Sequence, residues 1–278
     1  MVTAVAPPAL TEAVLGLGGV IVAASGGVDS LTLAVVCDRL LPGRCRLMHA
    51  VSPAVPQADT GRVRETAKAL ALDLTTLSTG ECSDPVYLDN PVDRCRHCKT
   101  HLYAALAKSA RRLADAGESA PFVVSGANVD DLGEYRPGLE AAREFGVRHP
   151  YIEAGMGKEA IRTLARALHL PFADLPASPC LASRVYTGTA ITPERLAAVE
   201  YAEDIVRKDA GAAVVRCRVR DADMLVELRT EDLKKAGPAL HAIVERLARD
   251  VPARFPCIAT VSLDLEGYRP GRAFIQPA

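Results

Sequence analysis

The chain has 278 residues, 49% of them apolar, which is enough for an extensive core and for about two domains of ordinary size. Its formal net charge is -1, from 33 basic and 34 acidic residues, so nucleic acid is not expected as a bulk electrostatic partner. Only 4% of the residues are aromatic, too few to predict a base-stacking surface. No segment reaches the roughly 18 apolar residues of a membrane span, and the N-terminal segment lacks the basic start of a secretory signal. We therefore expect a cytoplasmic protein without a membrane partner.

The first predicted element of the sheet is a buried strand at residues 20–22, a short run of β-branched residues. A small-residue segment, Ser25-Gly26-Gly27-Val28-Asp29-Ser30, follows the strand and leads into a helical pattern. A strand, a glycine turn and a helix together point several backbone N–H groups and a helix N-terminus at one anion. The glycines let a phosphate approach the backbone because they carry no Cβ atom. The sequence therefore predicts a phosphate-binding loop.

This loop contains neither Lys nor Arg, whereas the P-loop ATPases require a Lys followed by Ser or Thr. It resembles instead the SGGxDS signature of the PP-loop ATP pyrophosphatases. The resemblance implies ATP as the ligand and a fold like that of the adenine nucleotide alpha hydrolases. The predicted nucleotide contacts of the loop are Ala24, Ser25, Gly26, Gly27, Val28, Asp29 and Ser30.

Strands and helices alternate through the next part of the chain. Predicted strands cover residues 20–22, 46–51, 74–77 and 121–127, and predicted helices cover residues 59–72, 94–116 and 157–169. This alternation predicts an α/β domain with a doubly wound parallel sheet, which we assign to residues 1–178. His49 lies at the carboxyl end of the second strand, where the switch-point rule places ligands, so it is predicted to line the nucleotide crevice. An ordinary loop histidine is the alternative.

The pattern changes at a linker that contains Pro179 and Cys180, and the later elements follow the order α-β-β-α-β. A helix begins at Thr192-Pro193, a cap residue followed by proline at the first helical position. The remaining predicted elements are strands at residues 213–219 and 224–229, a helix at 231–249 and a strand at 257–264. This order predicts a smaller α+β lobe at residues 179–278 that serves substrate binding or oligomerisation.

Eight cysteines in a cytosolic chain suggest thiol, metal or redox chemistry rather than disulfides. Cys95 and Cys98 are three residues apart, which places both sulfur atoms on one face of a helix, and Cys180 lies in the linker. Three interpretations are open: a zinc site completed by His97 or His101, a [4Fe–4S] cluster on three cysteines, or Cys180 as a sulfur nucleophile. The other cysteines are mostly predicted to be small buried hydrophobes, namely Cys37, Cys45, Cys82, Cys217 and Cys257.

Four motifs occur in a fixed order along the chain. They are Asp93-Arg94-Cys95-x-x-Cys98-Lys99, Gly126-Ala127-Asn128-Val129-Asp130-Asp131, Ser178-Pro179-Cys180-Leu181-Ala182-Ser183-Arg184 and Leu263-Asp264-Leu265-Glu266-Gly267-Tyr268-Arg269. In this order they resemble the LarE family, which are ATP-dependent sulfur transferases of nickel-pincer nucleotide synthesis. The resemblance covers nearly the whole chain, from Ser25 to Gly271, and departs from the expected serine-rich ending at residues 270–273.

The resemblance to the LarE family implies a specific reaction. The loop holds the β,γ-pyrophosphate of ATP while a carboxylate of pyridinium-3,5-biscarboxylic acid mononucleotide attacks the α-phosphorus. Pyrophosphate leaves, and sulfur then replaces an oxygen atom to give a thiocarboxylate. Mg²⁺ is expected to bridge the phosphates, with Asp29 and either Asp130 or Asp131 as its carboxylate partners. Arg184 is the candidate for stabilising the developing phosphate charge. Further predicted nucleotide contacts are Gly126, Asn128 and Asp131.

Two arginines of the second lobe match a family strand. Arg216 and Arg218 alternate along the chain, and the period of two puts both side chains on one face of a sheet. By resemblance they hold the phosphate of the substrate, a group that arginine binds in a bidentate manner. Solvated strand residues or inter-subunit ion pairs are the alternative for these positions.

The sulfur source divides the LarE family into two types. Members with only the linker cysteine surrender its sulfur and keep dehydroalanine, whereas members with three cysteines carry a [4Fe–4S] cluster that delivers sulfide. Because Cys95, Cys98 and Cys180 are all present, the resemblance favours the cluster, with Cys180 essential in either route. A homo-oligomer acting on a small-molecule nucleotide is expected. A tRNA thiolase and a non-catalytic nucleotide- or zinc-binding module are the alternatives.

Overall fold

A four-stranded parallel sheet forms the centre of the first part of the molecule. The computed structural model describes residues 6–117, 119–133 and 137–275. The strands are β1 (Val20–Ala24), β2 (Cys45–Ala50), β3 (Leu74–Leu77) and β4 (Phe122–Ser125), in the spatial order β3-β2-β1-β4. Every neighbouring pair is parallel, and Val20 of β1 lies between Cys45 and Phe122. The predicted parallel α/β sheet is therefore confirmed.

Helices cover both faces of this sheet. The helices of the described residues, counted over both parts of the molecule in chain order, are α1 (Pro8–Leu15), α2 (Val28–Leu40), α3 (Gln57–Ala69), α4 (Pro85–Leu88), α5 (Arg94–Asp115), α6 (Pro137–Glu144), α7 (Pro150–Glu153), α8 (Lys158–Ala167), α9 (Pro193–Ala210) and α10 (Thr230–Arg254). Val20 and Val22 of β1 pack with residues of α1, α2 and α8 in one apolar cluster. Ile21 packs with Tyr103 and Leu106 of α5 in a second cluster on the opposite face. Alternate residues of β1 thus enter two cores, as a doubly wound sheet requires.

A smaller three-stranded sheet forms the second part. Strands β5 (Val215–Arg220) and β6 (Asp223–Leu228) are antiparallel, and β7 (Thr260–Leu263) is parallel to β6. Helix α9 begins where predicted, because the Thr192 hydroxyl accepts a hydrogen bond from the Arg195 N–H. In α10 the backbone departs from helical geometry at Gly237 (φ 51°). The order α9-β5-β6-α10-β7 confirms the predicted α+β lobe.

The chain divides into two compact units, Met1–Glu81 with Cys95–Ser178 and Cys82–Arg94 with Pro179–Ala278. The sequence assigned residues 82–94 to the first domain, whereas the structure places them in the second unit. Asn90 explains the difference, since its buried amide donates to the carbonyl oxygens of Tyr186 (2.8 Å) and Thr189 (2.9 Å). These partners are 96 and 99 residues away along the chain, beyond the reach of a local sequence pattern.

Among the helices of the described residues, none combines the length and the apolar character needed to cross a lipid bilayer.

Candidate functional site

The phosphate loop lies between β1 and α2 at the carboxyl edge of the sheet. Its hydroxyls fix its shape: Ser30 Oγ donates to the Gly27 carbonyl oxygen (3.2 Å) and accepts from the Ser25 N–H (3.1 Å). Gly27 precedes the first turn of α2, and no side chain of the described residues caps that helix. Among the described residues the start of α2 thus has no capping side chain, a geometry that suits an anion, and phosphate binding by this loop stays a prediction.

Asp59 and Arg62 of α3 hold this loop in place. Arg62 Nη1 donates both to the Gly26 carbonyl oxygen (2.6 Å) and to Asp59 Oδ1 (2.8 Å). Asp59 is buried, and its Oδ2 accepts from the Ser178 hydroxyl (2.8 Å). The sequence analysis missed both residues, because α3 lies well beyond the loop in sequence and carries no motif that marks it. Both act on the loop from outside and position it.

A second loop, residues 125–131, follows β4 and lies against the start of α2. A Cβ atom at Gly126 would be 2.9 Å from the Ser30 nitrogen, so the close approach requires glycine. Asn128 is fully buried, and its Nδ2 donates to Asp29 Oδ2 (3.1 Å). The Asn128 N–H donates to Asp131 Oδ2 (3.2 Å). The structure therefore brings together Gly126, Asn128, Asp131 and Asp29, which were predicted to share one site.

This arrangement follows from the order of the strands. The chain leaves β1 toward β2 on one side and returns to β4 on the other, so β1 and β4 form a topological switch point. Ligands of open α/β sheets bind in the crevice at the carboxyl ends of such strands. The two loops that flank the crevice are those that follow β1 and β4.

Two carboxylates, those of Asp29 and Asp131, both contact Asn128 in this crevice. Burial raises the pKa of Asp29, and the nearby Asp131 carboxylate raises it further, while Lys158 and Arg162 act in the opposite direction. Asp130 points elsewhere, because its Oδ2 accepts from the Lys158 N–H (2.7 Å) at the start of α8. Of the two carboxylates considered as partners of Asp29, Asp131 is thus the better placed. Paired carboxylate oxygens are the ligands that Mg²⁺ prefers, so this pair fits the ion.

His49 lies at the carboxyl end of β2 and is buried. Its Nδ1 lies 2.9 Å from the Ala24 carbonyl oxygen and its Nε2 lies 2.9 Å from the Thr60 hydroxyl. Because a carbonyl oxygen can only accept, Nδ1 carries the hydrogen and Nε2 accepts from Thr60. These contacts support a structural role that joins β1 to α3, and the nucleotide contact of His49 stays a prediction.

Buried His49 and half-buried His149 make the stability of the protein depend on pH. Burial lowers the pKa of His49 and of His149, so the native state keeps both rings neutral where the unfolded chain takes up protons. The contribution of these two residues to the free energy of unfolding is therefore complete at neutral pH. It is lost as the pH falls below about 6.5, the ordinary pKa of histidine. We expect the free energy of unfolding in urea to drop between pH 7.5 and pH 5, and to drop less in the H49N variant. The exposed His169 gives the control, since H169N should keep the wild-type pH dependence. If the free energy of unfolding fell equally steeply with pH in H49N and in wild type, His49 would not be a source of the pH dependence.

The cysteines separate into two groups by exposure. Cys95 is exposed and Cys98 is half-buried at the start of α5, in the first unit, while Cys180 is exposed in the second unit. None of the described cysteines forms a disulfide. Within either unit, no three His, Cys, Asp or Glu side chains among the described residues are arranged to hold a metal ion. The other five include Cys37, Cys45 and Cys217, which are buried as predicted, and Cys82 and Cys257, which are half-buried.

Arg184 supports the segment that carries Cys180. Its Nη1 donates to the carbonyl oxygens of Pro179 (2.6 Å) and Cys180 (3.0 Å). Its Nε and Nη2 donate to the Glu203 carboxylate at 2.8 and 3.0 Å, and both partners are buried. Glu203 also accepts from the Cys217 N–H (3.1 Å), which ties the segment to β5. This geometry supports a positioning role for Arg184, and the predicted charge stabilisation on phosphate stays a prediction.

Arg216 and Arg218 lie on one face of β5, as the period of two predicts. Both guanidinium groups lie over the Tyr268 ring, 5.6 and 5.8 Å from its centroid. Arg218 Nε also donates to Glu227 (2.9 Å), and both arginines are buried, so they are not solvated strand residues. Burial lowers the pKa of Arg216 to about 10, and the positive charge of Arg184 contributes to the decrease. Arg218 is thus paired with a buried carboxylate, and the binding of a substrate phosphate by these two arginines stays a prediction.

Three curated relatives match the chain over most of its length, whereas no family model matches it. An uncharacterized protein of Synechocystis is 34% identical over 254 residues, 91% of this chain and 90% of the relative. An uncharacterized protein of Methanocaldococcus jannaschii is 29% identical over 251 residues, 90% of each chain. The pyridinium-3,5-bisthiocarboxylic acid mononucleotide synthase of Lactiplantibacillus plantarum is 30% identical over 266 residues, 95% of this chain and 91% of the relative. The similarity therefore extends over both units.

Proposed function

Because the chain belongs to the family of the pyridinium-3,5-bisthiocarboxylic acid mononucleotide synthase, we propose that it is an ATP-dependent sulfurtransferase acting on a nickel-pincer precursor. The proposed substrate is pyridinium-3,5-biscarboxylic acid mononucleotide, and the product carries a thiocarboxylate. The observation that carries the proposal is the crevice between β1 and β4. There the uncapped start of α2 faces an acidic pair, an arrangement that suits a nucleotide triphosphate with its metal ion.

The first half-reaction is adenylation. A carboxylate oxygen of the substrate attacks the α-phosphorus of ATP, pyrophosphate leaves, and an acyl-adenylate forms. The backbone N–H groups in the first turn of α2 bind the outgoing pyrophosphate, and Arg62 keeps Gly26 in the required conformation. Asp29 and Asp131 would hold Mg²⁺, which supplies positive charge to the phosphate oxygens.

The second half-reaction is sulfur transfer to the activated carboxyl group. In one route a [4Fe–4S] cluster bound by cysteine thiolates would supply sulfide. In the alternative route the Cys180 thiolate attacks the acyl carbon and AMP leaves. Loss of the Cys180 α-proton then breaks its Cβ–S bond, giving the thiocarboxylate and dehydroalanine. Arg184 fixes the backbone at Cys180 and serves either route.

The proposal predicts three products from one incubation. Protein purified without oxygen, mixed with MgATP and the biscarboxylate mononucleotide, should release AMP and pyrophosphate and form a thiocarboxylate detectable by mass spectrometry. The C180A variant should still release pyrophosphate and form the acyl-adenylate, but it should form no thiocarboxylate. The half-buried Cys257 provides the control, because C257A should retain both activities.

Other outcomes would identify the alternatives. Thiolation of bulk tRNA in place of the mononucleotide would indicate a tRNA thiolase, and ATP binding without pyrophosphate release would indicate a regulatory module. A visible spectrum with an iron and sulfide assay separates the two sulfur sources. A brown protein containing both elements supports the cluster, whereas a colourless one that loses hydrogen sulfide from Cys180 after turnover supports the sacrificial route. Size-exclusion chromatography with light scattering tests the expected homo-oligomer.

A further inference from the structure

We infer that Lys158 provides the ammonium group that binds the pyrophosphate part of ATP, an inference that rests on the proposed nucleotide function. The triphosphate brings several negative charges into the crevice, and its two outer phosphates leave together as pyrophosphate. Cationic side chains commonly stabilise such charge in phosphoryl-transfer sites. The loop from Ser25 to Ser30 has no Lys or Arg, so the charge must come from elsewhere in the fold.

The start of α8 is docked on the loop that follows β4. The Lys158 N–H donates to Asp130 Oδ2 (2.7 Å), which holds the first turn of α8 against this loop. A Cβ atom at Gly157 would lie 3.0 Å from both carboxylate oxygens of Asp130, so the approach is close. The backbone of Lys158 is therefore fixed at the edge of the crevice, and this fixes the position from which its side chain extends.

The Lys158 ammonium reaches the acidic pair of the site. Its Nζ lies 3.5 Å from Asp131 Oδ1, and its positive charge lowers the pKa of Asp29. Asp29 lies in the first turn of α2, the same turn whose N–H groups face the phosphate site. An ammonium within reach of Asp29 and Asp131 is thus also within reach of a phosphate bound at this helix start.

The neighbouring arginines are committed to close contacts with the protein. Arg162 donates to the carbonyl oxygens of Ala173 and Leu175, both at 2.7 Å. Arg62 donates to Gly26 and Asp59. The ion pair of Lys158 is long by comparison, and 46% of its side chain is exposed. A flexible lysine can therefore move its ammonium to a phosphate oxygen without breaking a short hydrogen bond.

The test compares three ligands in K158M, K158R and wild type by isothermal titration calorimetry with Mg²⁺ present. K158M should weaken the binding of ATP and of pyrophosphate by about tenfold or more, the value of one charge-assisted hydrogen bond. Its affinity for AMP should change by less than about twofold, because AMP lacks the two outer phosphates. K158R should restore most of the affinity, since it keeps the charge. Arg166, at the other end of α8 and 47% exposed, provides the matched control R166M.

Each result decides the inference. Wild-type affinity of K158M for both ATP and pyrophosphate would overturn the role of Lys158 and leave the proposed function intact. An equal loss of ATP and AMP affinity would also overturn it, because the charge would then not act on the outer phosphates. If the wild-type protein bound no ATP, both the proposed function and the inference would be wrong. Equal melting temperatures of K158M and R166M exclude unfolding as the cause of a loss.

Discussion

The G26A variant is expected to bind ATP about a hundredfold or more weakly than wild type while remaining folded. The reason is that the loop would lose backbone hydrogen bonds to the phosphates, and hydrogen bonds to charged groups contribute about 1.5–3 kcal/mol each. Gly26 has φ +86°, a conformation that costs an L-residue about 1–2 kcal/mol. In addition, its new methyl group would lie 2.8 Å from the Asp59 carbonyl oxygen and 2.9 Å from Asp59 Cβ. The loop must shift to relieve this contact, which moves its N–H groups away from the phosphates.

A second glycine gives a matched control for this experiment. Gly61 lies within α3 and a Cβ atom there would meet nothing within 4 Å among the described residues. The G61A variant should keep wild-type ATP affinity and gain up to about 1 kcal/mol of stability, because alanine favours the helix. Titration calorimetry with MgATP and thermal unfolding measure the two effects. If G26A bound ATP as tightly as G61A, the loop would not be the nucleotide site.

The R184M variant is expected to lose about 3–5 kcal/mol of stability, because it leaves the buried Glu203 carboxylate without its main partner. Arg207 and the Cys217 N–H still contact Glu203, so the loss should lie toward the lower end of that range. The carbonyl oxygens of Pro179 and Cys180 lose their donor as well. We therefore expect sulfur transfer to fall more than adenylation. Urea unfolding and the separate assay of pyrophosphate and thiocarboxylate measure both effects.

Two further variants identify the cause of that loss. R166M breaks exposed ion pairs with Glu159 and Asp174, and such pairs contribute about 0–1 kcal/mol, so its stability should be close to that of wild type. The double variant R184M/E203M removes the unpaired charge and should recover part of the stability without recovering sulfur transfer. A single variant R184M with wild-type stability would show that the pair does not support the segment at Cys180.

Local patterns were sufficient to predict the strands and the longer helices of the fold, whereas the short helices α4, α6 and α7 were not predicted. The β-branched run of β1, the glycines after it and the Thr192-Pro193 cap each act through neighbouring residues, so they could be recognised without coordinates. The alternation of strands and helices then limited the first sheet to a parallel one. Residues 82–94 could not be assigned in this way, because Asn90 acquires its partners from a distant part of the chain.

The candidate site shows the same difference between local patterns and contacts with distant parts of the chain. The motifs at Gly26 and Asn128 were recognised, and the structure brings both to the start of α2. Lys158 and Asp59 were not recognised, because they reach the loops from α8 and α3 through tertiary packing alone. For Arg184 the sequence indicated a charge but not its burial, so the ion pair with Glu203 could not be foreseen.

The assignment of residues 82–94 to the second unit has a consequence for synthesis on the ribosome. Asn90 cannot acquire its acceptors until Tyr186 and Thr189 have been translated, so this segment must wait while the intervening residues emerge. A shortened gene that ends at Ser178 would encode every strand of the first sheet and yet leave this segment without its counterpart. Expression of the first unit alone therefore requires replacing residues 82–94 by a short polar connection.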